Sequence, residues 1–200
     1  MQTLLVLGLA ELKLSLPENF TEQILRYVEL LLQWNQTYNL TAITDRQEVM
    51  IKHIFDSLAV LPYIQGQTVI DVGTGAGFPG IPLALADSSR SWCLLDSLGK
   101  RTEFLVYVKT QLGLTNLEIV TARAEKYHPT KLFDMAITRA FSSIPSMLQK
   151  CRHLSQTLYA MKAHLTQEEL LSLANYAHEQ IPLKVPYLEQ RRCLVRIAIP

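Results

Sequence analysis

The chain has no apolar run approaching the roughly 20 residues that a membrane span requires. Its longest near the start, Leu4 to Ala10, is broken by Gly8 and followed by Glu11. That run has neither the charged lead nor the cleavage site of a secretory signal. A cytoplasmic protein with no membrane partner is expected. Cysteine is scarce and odd in number: Cys93, Cys151 and Cys193 lie far apart, which argues against a disulfide framework or a zinc knuckle and for reduced packing residues. The five histidines show no HxxxH or HExxH spacing, so no metal is expected. Excess charge is missing too. A formal net charge of +1 gives no warrant for a nucleic-acid partner, and any such argument must come from local clusters. Repeats and low-complexity tracts are absent.

What is present is apolar bulk. With 48% hydrophobic residues in 200, one domain can bury a substantial core, with room for an appended subdomain. The first third reads as helical. Pro17 suits the first position of a helix and Glu18 its first turn, and Phe20, Ile24, Leu25, Val28, Leu31 and Leu32 keep helical spacing to about Trp34. A turn-prone stretch, Asn35 to Thr44, leads to a second helix from Asp45, its cap, to about Leu61, where Pro62 ends it.

From Thr68 the pattern changes. Strands are expected at Thr68–Val72, Trp92–Asp96, Leu117–Thr121, Phe133–Thr138 and Leu158–Lys162. Helices are expected at about Ile81–Asp87, Lys100–Leu112, Ser143–Arg152 and Thr166–Ala177. This alternation predicts an α/β fold with a mostly parallel sheet covered on both faces. Ile181–Leu188 and Cys193–Ile199 read as a closing β-hairpin. The expected organisation is a helical extension over residues 1–65, a short linker near Gln65–Gln67, and an α/β domain over 66–200.

Glycine is also scarce, 8 in all, yet four fall within positions 73–80, directly after the β-prone run Val69-Ile70-Asp71-Val72. Glycine admits positive φ and lets a ligand come close to the backbone. A Walker loop is excluded, since no Lys-Ser or Lys-Thr follows. GxGxxG is formally present as Gly75-Ala76-Gly77-Phe78-Pro79-Gly80, which keeps a nicotinamide-dependent oxidoreductase as an alternative. Counted from Gly73, however, Phe78 takes the place of the third glycine. Asp71 points elsewhere: a carboxylate at the loop mouth repels pyrophosphate and attracts a ligand bearing ammonium and sulfonium groups, as S-adenosyl-L-methionine does. Asp96, 25 positions on (96 − 71), can accept from ribose hydroxyls or cap the helix that follows. Glu125, past the third strand, stands where adenine is usually contacted.

Asp71 through Pro82, Leu94-Leu95-Asp96-Ser97-Leu98-Gly99-Lys100-Arg101 and Arg139-Ala140-Phe141, with Trp34-Asn35, Tyr38-Asn39-Leu40-Thr41, His53 and Asp56-Ser57, carry a resemblance. The chain resembles the RsmG (GidB) family, bacterial methyltransferases acting on guanine N7 of 16S ribosomal RNA. The resemblance implies a Rossmann-like class I S-adenosylmethionine-dependent methyltransferase fold, with a seven-stranded sheet ending in an antiparallel hairpin and an N-terminal helical extension. It implies cofactor contacts at Gly73, Phe78, Ala124, Glu125 and Arg139, joining Asp71, Gly75, Gly77 and Asp96 from the loop reading. Two departures are visible: Lys162 is followed by Ala163 where glycine is frequent, and Phe78 stands where leucine is frequent.

Guanine N7 carries no proton, so methyl transfer to it needs no general base and no catalytic dyad is expected. Arg139, at a strand end beside both cofactor and substrate, is the expected catalytic residue. Lys100, Arg101, Arg123 and Lys162 also fall at or just after strand ends and are expected to form a positive rim for RNA, framed by Asn39 and His53. The expected partner is 16S rRNA or the 30S subunit, met by a monomer. A non-catalytic adenosylmethionine- or RNA-binding module is the remaining alternative.

Overall fold

The computed structural model describes residues 1–139, 141 and 143–200. Ala140, the middle of the Arg139-Ala140-Phe141 string, lies outside the described residues. The chain opens with α1 (Gln2–Leu12) and α2 (Phe20–Tyr38), followed by α3 (Arg46–Val49), a π-helical turn (Met50–Phe55) and α4 (Asp56–Leu58) in one continuous run. The α/β part then follows as β1 (Thr68–Val72), α5 (Gly80–Ala86), β2 (Ser91–Asp96), α6 (Gly99–Leu112), β3 (Leu117–Thr121), β4 (Met135–Thr138), α7 (Ile144–Cys151), β5 (Thr157–Lys162), α8 (Gln167–Ser172), β6 (His178–Leu183) and β7 (Arg192–Ala198). The sheet order is β3-β2-β1-β4-β5-β7-β6, with β1 to β5 parallel and β7 antiparallel to both its neighbours. Strand order therefore reverses between β1 and β4, opening the crevice where α/β sheets take their ligands.

Side chains alternate across the sheet with period two, and each face has its own core. Val69, Leu94, Ile137 and Tyr159 pack with α2, α5 and α6, whereas Ile70, Leu95, Ala136 and Leu158 pack against α7. The first of these cores is continuous with Leu5, Ile24, Val28, Leu31 and Phe55, so the helical extension shares its interior with the sheet. Tyr27, fully buried on α2, donates to the Ala76 carbonyl at 2.6 Å and so braces the glycine loop.

Asp45 caps as expected, its Oδ1 accepting from Gln47 and Glu48 N–H groups. Several elements differ from the pattern-based reading. α1 is an additional helix whose Gly8 sits against the Phe55 ring. α2 begins at Phe20, with Pro17 in the preceding turn, and continues to Tyr38, where Asn39 ends it at φ 49°. α8 is short because its Thr166–Glu169 capping box sets the start and buried Leu173 turns the chain inward. The first hairpin strand lies at His178–Leu183 rather than 181–188, because Arg192 of β7 pairs with Leu183 and the following residues form the connection. Pro182 fits within it because β6 is the edge strand, where a missing N–H is tolerated.

Gly80 opens α5 with no spare room. A methyl group there would collide with Leu94 Cδ2 in the sheet centre and lie 2.8 Å from Asp71 Oδ2. Gly80→Ala is expected to cost about 1–3 kcal/mol through overpacking, read as a lower urea midpoint. An unchanged midpoint would mean that the loop relaxes freely.

Candidate active site

The site is built at the carboxyl ends of β1, β2 and β4. Asp71 is fully buried; its Oδ2 accepts from Thr74 Oγ1 at 2.6 Å and from the Gly80 N–H at 2.8 Å. Oδ1 has no hydrogen-bond partner among the described residues. Burial pushes the carboxyl up to about 6, although the Thr74 and Gly80 bonds and the Arg139 charge pull the other way. A buried, half-satisfied carboxylate is costly, and it marks where a cationic ligand group would be welcome.

The loop beyond Asp71 divides its glycines by role. Gly73, Gly75 and Gly77 all have positive φ. A methyl group at Gly75 would meet nothing within 4 Å, so open space lies over its backbone, whereas one at Gly77 would strike Ile81 and Leu105. Gly75 thus leaves room for a ligand and Gly77 lets the loop pack on its own helices. Asp96, 3% exposed, ties this loop to the next element: it accepts from the Gly75 N–H (2.9 Å), the Leu98 N–H (2.9 Å) and Arg101 Nη1 (3.2 Å).

Two cavities flank the loop. One, about 220 Å³, is lined by Val72, Gly73, Asp96, Ala124, Glu125 and Phe141, with Lys150 at its side. The other, about 200 Å³, is lined by Thr41, His53, Gly75, Phe78, Arg101 and Arg139. Gly73 borders both, so a ligand in the first can present a group to the second.

In the second cavity Phe78 is sandwiched. The His53 ring stacks on it at 4.4 Å between centroids, and the Arg139 guanidinium lies 5.1 Å from its centre. Arg139 Nη1 donates to the Lys52 carbonyl (3.2 Å) and to Asp56 Oδ2 (3.4 Å); its other guanidinium nitrogens make no hydrogen bond to a described residue. His53 lies 2.9 Å from Thr41 Oγ1 through Nε2 and 3.2 Å from the Lys52 carbonyl through Nδ1. A carbonyl only accepts, so this geometry assigns the proton to Nδ1, and Nε2 accepts from Thr41. Burial first, then the Arg139 charge, hold the imidazole down at about 3. His53 is therefore neutral at physiological pH and its one lone pair is occupied.

The residues expected from sequence are distributed unevenly. Gly73, Gly75, Phe78, Asp96, Ala124, Glu125 and Arg139 line the two cavities, as do Arg101 and His53, whereas Asp71 is fully buried, bonded to Thr74 and Gly80, and lines neither. Arg123 also lines the first cavity, with its side chain 70% exposed and 3.9 Å from Glu125. Lys100 is exposed in the first turn of α6 and Asn39 is exposed at the end of α2; neither lines either of these two cavities. Lys162, expected at the rim, is mostly buried. Its Nζ is 2.7 Å from Glu169 Oε1, and Glu169 also accepts from the Ile144 and Thr166 N–H groups at the starts of α7 and α8. Burial pushes the Glu169 carboxyl up, but Lys162 and the two N–H groups outweigh this and hold it below its ordinary value. Lys162 thus takes part in an internal ion pair.

Thr41, Asp56 and Lys150 were not singled out from sequence as site residues. Asp56 lies one helical turn beyond His53, a visible spacing, but its partners come from β4 and β7. Among the described residues no group of three His, Cys, Asp or Glu side chains could hold a metal ion, and no helix is long and apolar enough to cross a membrane.

The family model for rRNA small subunit methyltransferase G (GidB) matches residues 20–195. A ribosomal RNA small subunit methyltransferase G from Hydrogenovibrio crunogenus is 48% identical over 190 residues, spanning 92% of this chain and 88% of the relative. The chain belongs to the rRNA small subunit methyltransferase G family. Another member, from Shewanella frigidimarina, is 45% identical over 195 residues, 95% of each chain. Among solved structures, a SAM-dependent methyltransferase from Aquifex aeolicus aligns with TM-score 0.57 at 20% identity, covering 78% of this chain and 94% of its own. TrmK of M. capricolum, solved with S-adenosyl-homocysteine, aligns with TM-score 0.60 at 15% identity, covering 72% of this chain and 68% of its own. These likenesses show a methyltransferase fold; membership of the methyltransferase G family rests on the sequence matches.

Proposed function

We propose that this protein transfers a methyl group from S-adenosylmethionine to N7 of a guanine in 16S ribosomal RNA of the small subunit. The observation that carries the reading is the pair of cavities that share Gly73, on a glycine loop whose buried Asp71 has an Oδ1 without a hydrogen-bond partner among the described residues. The residues present fit the cofactor: Asp71 offers a negative oxygen without a partner, and Gly75 leaves its backbone open. Gly73, Asp96, Ala124, Glu125 and Phe141 would enclose the adenosine portion in the first cavity. S-adenosylmethionine supplies an electrophilic methyl group on a sulfonium centre.

The remaining catalytic work falls to positioning. Arg139, lying over the buried Phe78 ring on which His53 stacks, places a guanidinium where base oxygens and phosphates can be held. No general base is needed at N7, and His53 is neutral with its lone pair engaged by Thr41. Leu40, Thr41 and His53 of the extension, residues 1–65, supply one wall of the substrate cavity, and Arg101 and Arg139 bring positive charge to it. We read the chain as a cytoplasmic monomer that meets the ribosomal subunit there.

The test is transfer of radiolabelled methyl from S-adenosylmethionine to unmodified 30S subunits and to naked 16S RNA, followed by strand cleavage specific for N7-methylguanine. One new cleavage site is expected. Tight cofactor binding with no incorporation into either RNA form would reject the substrate while keeping the donor.

A further inference from the structure

Asp56 is a buried carboxylate, 3% exposed, with one arginine on each oxygen. Arg139 Nη1 approaches Oδ2 at 3.4 Å, and Arg192 Nε approaches Oδ1 at 3.2 Å. The three residues come from α4, the end of β4 and the start of β7, so the cluster joins the helical extension, the substrate cavity and the closing hairpin. We propose that Asp56, locked by Arg192, is a positioning residue that fixes Arg139 over the Phe78 ring.

The geometry supports this in three ways. With one arginine per oxygen, rotation of the Asp56 carboxylate would disturb both ion pairs at once, so its plane is pinned. Arg139 has a long flexible stem, and its restraints among the described residues are Asp56, the Lys52 carbonyl and the Phe78 ring, of which Asp56 alone is charged. Both polar restraints act on Nη1, which holds one edge of the guanidinium and leaves the others for a ligand. The Lys52 carbonyl lies within the π-helical turn, so the local backbone takes part in the same restraint.

Stability alone is a poor reason for such a cluster. Desolvating a carboxylate and two guanidiniums costs about as much as their attraction returns, and apolar packing of the same volume often does as well. Burial in fact pushes the Asp56 carboxyl above its usual value, with Arg139 and Arg192 offsetting part of the rise. What the cluster does provide is a fixed place for one guanidinium.

This role rests on the methyl-transfer reading, so the experiment has a readout independent of activity. In full-length protein labelled with ¹⁵N-arginine, Asp56→Asn is expected to shift and broaden the Arg139 Nε–Hε resonance; an unmoved resonance overturns the proposal whether or not methyl transfer is observed. With 30S as substrate, Asp56→Asn is expected to lower kcat about tenfold while KM for S-adenosylmethionine changes less than about threefold. In an Arg139→Ala background the same substitution is expected to change kcat less than about twofold, because the residue it positions is gone. Equal fold-losses in the two backgrounds would make Asp56 a merely structural residue. Arg192→Met leaves Asp56 in place and serves if Asp56→Asn does not fold: a displaced Arg139 resonance is expected, and an unmoved one rejects the clamp.

Discussion

Asp71→Asn is expected to make the ligand-free protein more stable at pH 7.5 and much weaker at binding S-adenosylmethionine. Burial raises the carboxyl from 3.8 to about 6, so between those values the folded protein holds a proton that the unfolded chain releases. Stability attributable to this group therefore falls as pH rises from about 4 to 6, and the full cost, about 3 kcal/mol as an order of magnitude, stands at neutral pH. Asparagine removes the charge, keeps an acceptor for Thr74 and Gly80, and places an amide where Oδ1 lacked a partner. The urea midpoint of the variant should exceed that of the wild type at pH 7.5 and converge with it near pH 4. Cofactor affinity should fall at least about tenfold, since the lost charge was the partner of a cation. In the wild type, affinity should weaken as pH drops below about 6, where Asp71 takes up its proton. His53, held near 3, does not titrate in that window. A variant that binds cofactor normally would remove Asp71 from the cofactor site.

Arg139→Ala is expected to lower methyl transfer about 100-fold or more, far beyond any change in cofactor affinity. The side chain closes the substrate cavity over Phe78 and engages Lys52 and Asp56, so its loss removes a wall of the cavity and a cation together. Arg139→Lys should restore little, because an ammonium is a point charge without a planar face to lie over the Phe78 ring. Comparing kcat with the S-adenosylmethionine dissociation constant checks this. Full activity in the alanine variant would place Arg139 outside the reaction.

The local strength of each sequence signal decided what could be read early. β1 and β3 were legible to the residue because each is a short β-prone apolar run bounded by turn residues. The glycine loop was legible because its φ values demand glycine whatever surrounds it. The edge strand β6 was misplaced because Ile181–Leu188 looks apolar enough, while the pairing of Leu183 with Arg192 depends on a partner nine residues away.

Residue types at fixed spacing determined the fold class, the methyl-donor loop and the family, because those rest on backbone conformations that the local chain imposes. Only the tertiary structure decided how the strand-end cations are paired. Lys162 and Arg139 both end strands, yet one is 2.7 Å from Glu169 and the other faces a cavity. It alone decided as well that Asp56 meets arginines 83 and 136 residues away. Charge pairing is set by three-dimensional proximity, and strand order, not chain order, brings those groups together.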